Sequence, residues 1–168
     1  MKVNECDKQY YEIVKHIQKD EEFMKIANHL HHGTDRLTHS RRVSYFSYKL
    51  AKKLKLDYKT AAVAGLLHDF YGCIQEDNFV DYLKANYQHP QIAAKNAVER
   101  FNVSEKEKNI IETHMFPMTI KPTKHIEGWV INVMDKIVGT YEYGIKFRYK
   151  FSLWFVFLFN VVKIGLRQ

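Results

Sequence analysis

Apolar residues recur three and four positions apart along most of the chain, which is the spacing of amphipathic helices. The pattern predicts a first helical segment from about Lys8 to His29, with a charged break before Phe23. The mostly polar stretch "HLHHGTDRLTHS" then predicts a connection. A second helix is predicted from about Thr38 to Lys55. Its apolar stripe consists of Val43, Phe46, Leu50 and Leu54.

Residues that favour helix starts and ends divide the middle of the chain. Asp57 is a predicted N-cap for a helix that ends near His68. A short helix is predicted from about Phe79 to Ala85. A new helix is predicted to start at "HPQIAAKNAVERF", because Pro90 suits the first helical position and His89 suits the cap or the residue before it.

The last part of the core contains two further helix predictions. Ser104 and Glu107 form a capping-box pattern, which predicts a helix that reaches His114. The two prolines of "MFPMTIKPTK" predict a loop. A last core helix is predicted from about His125 to Tyr143.

The C-terminal segment from Phe151 to Val162 is apolar except at Ser152 and Asn160. It is too short to span a bilayer, which takes about 20 residues, so no transmembrane segment is expected. Three roles stay open for it. It can be a buried closing helix, a subunit interface that makes a homodimer, or an anchor on a membrane surface.

The composition supports a single helical domain. The chain has 168 residues, of which 46% are hydrophobic and 14% aromatic, and this is enough for a packed core. Only seven glycines and three prolines interrupt it. We therefore predict an all-α protein with one domain across residues 1–168.

Charge and cysteine content say less about function. The formal net charge of +7 suits an anionic partner, although a solvated basic helix face is the more common explanation. Cys6 and Cys73 form no disulfide framework, and free thiols indicate a reducing cytosol. The charged N-terminus has no apolar signal-peptide core, so we expect a cytoplasmic protein.

Polar residues on five different segments fall where the helix pattern predicts burial. An isolated buried imidazole or carboxylate is costly, and one alone is more often a hydrogen-bonded core residue than a ligand. Five segments with the same feature favour a common cause. The residues are His39, the adjacent pair His68 and Asp69, His89, His114 and Asp135.

Imidazoles and carboxylates from several helices are one way to build a transition-metal site inside a bundle. Such ligands suit Fe, Mn, Zn, Co or Ni, and the lack of cysteine ligands disfavours a structural zinc site. His68 and Asp69 can converge on ions at one helix end. The two oxygens of a carboxylate can bridge two ions, which an imidazole cannot do.

The ordered set resembles the H…HD…D signature of the HD-domain metal-dependent phosphohydrolases. The matching motifs are "THSRRV", "LLHDF" and "VMDKI", while "QHP" and "ETHM" stand where the two-metal branch has two further histidines. The motifs "HGT…HS", "GLLHDF", "HP" and "HMFPMT" are similar to a group of small single-domain bacterial HD proteins. The resemblance implies an HD helical bundle with a core at about 30–143 and a C-terminal tail at 144–168.

The resemblance also implies a two-metal hydrolase. Its divalent ions would be Fe or Mn ahead of Zn, Co and Ni, and they would activate a water that hydrolyses a phosphoester or phosphoanhydride. Asp69 would be the bridging ligand that orients this water. The substrate would be a small phosphorylated molecule, with a nucleotide favoured. The first ion would be held by His39, His68, Asp69 and Asp135, and the second by Asp69, His89 and His114.

Two departures lower the expectation of a cyclic-dinucleotide substrate. Those phosphodiesterases often carry a lysine three positions after the HD pair and a GYP element, whereas "FYG" follows the pair here. The size is closer to that of HD-type dinucleoside polyphosphate hydrolases. Candidates for phosphate contacts are Arg36, Arg42, Lys121 and Lys136, although exposure to solvent alone explains each of them more simply.

Two other functions stay open. Some HD-like sites hold a di-iron centre that oxidises small molecules with O₂, and the same ligands would serve it. A non-catalytic basic helical module would bind a partner through its surface without a metal, and salt-dependent nucleic-acid binding would be its mark. The sequence contains no recognisable nucleic-acid reader motif, so we expect no nucleic-acid partner.

Overall fold

The computed structural model describes residues 1–4, 6–28, 30–31, 34–72 and 79–165. Within these ranges the chain is helical apart from loops and one antiparallel pair of two-residue strands, β1 (Leu30–His31) and β2 (Thr34–Asp35). The prediction of an all-α fold is confirmed. A short 3₁₀-helix spans Lys25–Asn28. The α-helices are α1 (Lys8–Gln18), α2 (Glu21–Met24), α3 (Arg36–Lys53), α4 (Tyr58–Leu67), α5 (Phe79–Phe101), α6 (Glu105–Thr113) and α7 (Ile126–Gly165).

Two helices that matter for the site begin where the sequence predicts. The side chain of Asp57 accepts a hydrogen bond from Thr60 N at 3.1 Å and caps α4. Ser104 and Glu107 form the predicted capping box of α6. Both starts are set by local hydrogen bonds. Both helices end at a histidine, with His68 and His114 as the C-cap residues.

Two boundaries near the N-terminus differ from the prediction. The segment predicted as one helix to His29 is divided, because Asp20 accepts from Phe23 N at 3.0 Å and caps a separate helix, α2. The next helix, α3, begins two residues earlier than predicted. Asp35 is its N-cap and accepts from Thr38 N at 2.7 Å.

Pro90 does not begin a helix, and this prediction is wrong. It lies buried inside α5, which runs without a break from Phe79 to Phe101. A proline removes one backbone N–H from a helix interior. The ring of the preceding residue, His89, makes its own bond to this helix, since its Nδ1 lies 3.2 Å from Ala85 O. The helix continues through Pro90, and the predicted break does not occur.

The last helix, α7, extends beyond its predicted end at Tyr143 and continues to Gly165. The apolar segment from Phe151 to Val162 is the continuation of this helix. Its side chains lie outside the part of the chain that the structure describes, as does Cys73, so the three roles considered for the segment stay predictions. Among the described residues, no helix is both long and apolar enough to cross a membrane.

The core depends on a close approach of α3 to α4. A β-carbon added at Gly65 of α4 would lie 3.0 Å from the Cα atom of Ser44 on α3. The hydroxyl of Ser44 donates to Ala62 O at 2.7 Å and accepts from the hydroxyl of Tyr10 at 2.8 Å, which ties α1 to both helices. This contact brings the start of α3 beside the end of α4, where predicted metal ligands lie.

We expect Gly65→Ala to lower the free energy of unfolding by about 1–3 kcal/mol, because the added methyl group would push α3 away from α4. Gly144→Ala is the matched control, since a β-carbon at Gly144 of α7 would meet no atom within 4 Å. The control should gain about 0.5–1 kcal/mol from helix propensity alone. Urea unfolding of both variants measures this, and equal effects would contradict the close approach.

Candidate metal centre

The structure brings all six predicted metal ligands into one buried cluster. His39 lies in the first turn of α3, His89 in the middle of α5 and Asp135 in α7. His68 and Asp69 follow the end of α4, and His114 follows the end of α6. The four histidines and Asp69 are each at most 3% exposed. Their place in the centre of the fold means that their polar atoms must be satisfied by one another or by a ligand.

Three of the histidines direct one ring nitrogen to the backbone of their own helix. The Nδ1 atoms of His68, His89 and His114 lie 2.9, 3.2 and 2.8 Å from the carbonyl oxygens of Gly65, Ala85 and Ile111. A carbonyl can only accept, so each Nδ1 carries the proton that is donated. Each Nε2 is therefore left with a lone pair, which is the form that binds a metal.

The free lone pairs point toward one another. His89 Nε2 lies 3.2 Å from His114 Nε2 and 3.4 Å from Asp69 Oδ1. His114 Nε2 lies 3.8 Å from the same carboxylate oxygen. Neither imidazole can donate a proton to the other while both Nδ1–H groups are bonded to carbonyls. A cation shared by the two nitrogens and the carboxylate would remove their mutual repulsion.

His68 faces the other half of the cluster. Its Nε2 lies 3.6 Å from Asp69 Oδ2 and 3.7 Å from Asp135 Oδ1. This nitrogen is buried and has no hydrogen-bond partner within the described part of the chain. A buried lone pair at this distance from two carboxylates fits a bound cation.

His39 differs from the other histidines because carboxylates lie at both of its nitrogens. Its Nε2 lies 3.0 Å from Asp135 Oδ1, and its Nδ1 lies 2.8 Å from Glu142 Oε2. Burial lowers the pKa of His39, but the hydrogen bonds to the two carboxylates outweigh it and raise this pKa to about 10. Without a metal, His39 is therefore a protonated partner of both acids.

The pKa shifts differ from residue to residue within the cluster. Burial, together with the neighbouring His68 and His89, lowers the pKa of His114 to about 3. Burial likewise lowers the pKa of His89. For Asp135, burial raises the pKa, but the hydrogen bond to His39 and the charge interactions with the nearby His68 and His39 hold it well below its usual value. For His68, burial lowers the pKa, but Asp69 and Asp135 outweigh burial and raise this pKa. The lowered pKa values thus belong to His89 and His114, and a neutral imidazole beside an ionised carboxylate is a form that coordinates divalent metals.

The donor atoms fit divalent ions in two overlapping groups. His39, His68 and Asp135 offer ligand atoms that all lie within 4.8 Å of one another. His68, Asp69 and His114 form a second group under the same limit. Both groups combine imidazole nitrogen with carboxylate oxygen, a set that suits Fe, Mn, Zn, Co or Ni.

Sequence reasoning missed Glu142. This residue is 4% exposed, and its Oε1 accepts from Arg42 Nη1 at 2.6 Å while Oε2 faces His39. It lies seven residues after Asp135, which is two helical turns, so both face the same side of α7. That spacing is the signal in the sequence that could have indicated it.

The four basic residues considered for phosphate contacts lie in different settings. The guanidinium of Arg36 covers the ring of Tyr71 at 3.7 Å and donates to the carbonyl of Tyr71 at 2.7 Å. Arg42 is paired with Glu142. Lys121 is exposed in the loop between α6 and α7.

Lys136 is the one of these four that follows a predicted ligand directly in sequence. Its Nζ atom donates to Asn132 Oδ1 at 2.9 Å and to Phe116 O at 3.2 Å. Burial lowers the pKa of Lys136, and the charge of Asp135 opposes this shift. The side chain thus joins the metal-ligand helix to the loop that follows His114.

Comparisons with known proteins agree with this arrangement. The family model described as the HD domain matches residues 36–139, which include all six predicted ligands but not Glu142. Ribonuclease Y of Chlorobium phaeovibrioides (strain DSM 265 / 1930) is 36% identical over 90 residues, a match that covers 54% of this chain and 16% of that protein. The chain thus spans a small part of this relative. No solved structure matches the chain significantly.

The stability of the metal-free protein should fall with acid. Since the folded pKa of His114 lies near 3 and the unfolded value is 6.5, the unfolded state takes up a proton first. The contribution is therefore present above pH 6.5 and is lost as the pH falls toward 3. In urea unfolding with EDTA between pH 6 and 4.5, His114→Gln should reduce the slope by up to about 1.4 kcal/mol per pH unit. Equal slopes would show that folding does not lower the pKa of His114.

Proposed function

Because this chain belongs to the HD-domain family, whose members are generally metal-dependent hydrolases, we propose that it hydrolyses a small phosphorylated molecule, with a nucleotide favoured. The observation that carries the proposal is the convergence of three imidazole Nε2 atoms on two carboxylates in the buried core. We further propose that residues 1–168 form one domain, because α7 carries both Asp135 and the C-terminal segment.

The proposed ligand set has two halves joined by Asp69. Its Oδ2 lies toward His68, and its Oδ1 lies toward His89 and His114, which supports a bridging role. We assign the first ion to His39, His68, Asp69 and Asp135, and the second to Asp69, His89 and His114.

Divalent ions held there would supply Lewis acidity, which activates water as a nucleophile and stabilises charge that develops on a phosphate. The residues of the chain provide the setting. Asp69 orients the reacting groups between the two halves, and the Nδ1 bonds of His68 and His114 to their own helices keep both rings in one orientation.

Among the basic candidates, Lys136 is the best supported as a phosphate contact. Its ammonium group adjoins Asp135 in sequence and is held by Asn132 and Phe116 O. Arg36 and Arg42 are already engaged by Tyr71 and Glu142. Lys136 would therefore stabilise the negative charge of a substrate phosphate, as an ammonium point charge does.

An RNA phosphodiester is the second substrate class to test, because the curated relative is named as a ribonuclease. The small share of that protein that is matched keeps the small phosphorylated molecule first. A di-iron oxygenase would use the same ligands and would consume O₂. A substrate panel should therefore contain nucleotides, dinucleoside polyphosphates and an RNA oligonucleotide, with O₂ uptake measured in parallel.

Elemental analysis of the purified protein should find about two transition-metal ions per chain, as the two-metal resemblance implies. The double variant His68→Ala, Asp69→Ala should lose both ions and hydrolytic activity, because it removes ligands of each. His125→Ala is the control, since His125 lies before α7 and outside the cluster. A wild-type protein that stays free of metal after reconstitution with Mn²⁺ or Fe²⁺ would refute the proposal.

Replacing the proposed phosphate contact should affect substrate binding. Lys136→Met should lower kcat/KM at least tenfold, because the ammonium group near the phosphate is lost, while the metal content stays at the wild-type level. Lys121→Met is the matched control and should stay within twofold of the wild type. Similar kinetics for both variants would remove Lys136 from the substrate site.

A further inference from the structure

Glu142 is a buried carboxylate with both oxygens engaged. It is 4% exposed and lies on α7, three residues beyond the part of the chain that the family model matches. One oxygen lies 2.8 Å from His39 Nδ1, and the other accepts from Arg42 Nη1 at 2.6 Å. Burying a carboxylate costs free energy unless the charge is paired. Here both Arg42 and His39 pair with it.

The contact decides which nitrogen of His39 carries a proton when a metal is bound. A carboxylate accepts, so it keeps the proton on Nδ1. The lone pair then belongs to Nε2, the nitrogen that lies 3.0 Å from Asp135 and faces the cluster. Without Glu142, no carboxylate would hold the proton on Nδ1, and a neutral ring with its proton on Nε2 could not bind a metal through that nitrogen.

His39 is supported differently from the other three histidines. The Nδ1 atoms of His68, His89 and His114 bond to carbonyl oxygens three or four residues earlier in their own helices. His39 instead bonds to a residue 103 positions away. A carboxylate partner raises the basicity of a metal-bound imidazole more than a neutral carbonyl does.

We propose that Glu142 is a positioning residue for the first metal ion, in that its carboxylate holds the Nδ1–H form of His39 and Arg42 fixes the carboxylate. This inference rests on the proposed metal-dependent function. It assigns a role to a residue outside the set of six ligands. It also makes the two halves of the centre unequal, since this support reaches only the ion that His39 binds.

Titration of the metal-free protein with Mn²⁺ alone tests the role through affinity rather than through activity. Glu142→Gln and Glu142→Ala should each weaken the binding of one ion by 10–100-fold and leave the other unchanged. Glu127→Gln is the matched control. Glu127 is a buried carboxylate on the same helix that pairs with Lys106 at 3.1 Å and has no contact with the cluster among its described partners.

A second measurement does not depend on whether the variants fold. In the Zn²⁺-loaded wild-type protein, ¹H–¹⁵N NMR of the imidazole rings should show His39 with its proton on Nδ1. A proton on Nε2, or folded Glu142 variants that bind both ions within threefold of the wild type, would overturn the inference while the hydrolase proposal stands. A wild-type protein that binds no Mn²⁺ would instead refute the proposed function.

Discussion

Two imidazole nitrogens with lone pairs, His89 Nε2 and His114 Nε2, lie 3.2 Å apart in the interior of the protein. Each ring has its Nδ1–H bonded to a backbone carbonyl, so neither can relieve the repulsion by donating. Protonation would relieve it, but burial lowers the pKa of both rings. A divalent cation beside Asp69 would satisfy the same atoms without placing a proton on a buried imidazole.

The ends of two helices, α4 and α6, place two of the histidine rings in this cluster. The last carbonyls of a helix have no partner within it, and His68 and His114 each use Nδ1 to bond one of them from the C-cap position. One hydrogen bond thus completes the helix end and orients the ring of a proposed metal ligand. Since α4 contacts α3 closely at Gly65, the end of α4 also lies beside His39.

The four histidine rings of the cluster are supported in two ways. Local carbonyls support three rings, and these bonds form whenever their helices form. The ring of His39 depends on α7, which supplies Asp135 on one side and Glu142 on the other. Loss of contact between α3 and α7 would therefore disturb the ring of His39 and leave the local bonds of the other three rings intact.

The sequence by itself determined the helical class, the caps at Asp57 and Ser104 and the six inward polar residues, because these depend on contacts within about one helical turn. It was wrong about Pro90, where a local break signal does not end the helix, and about the last helix, which continues to Gly165. Only the tertiary structure decided that Glu142 supports His39 and that Arg42 is its partner. Periodicity tells which face of a helix is buried, whereas the packing of α3 against α7 decides which side chain from a distant part of the chain meets it there.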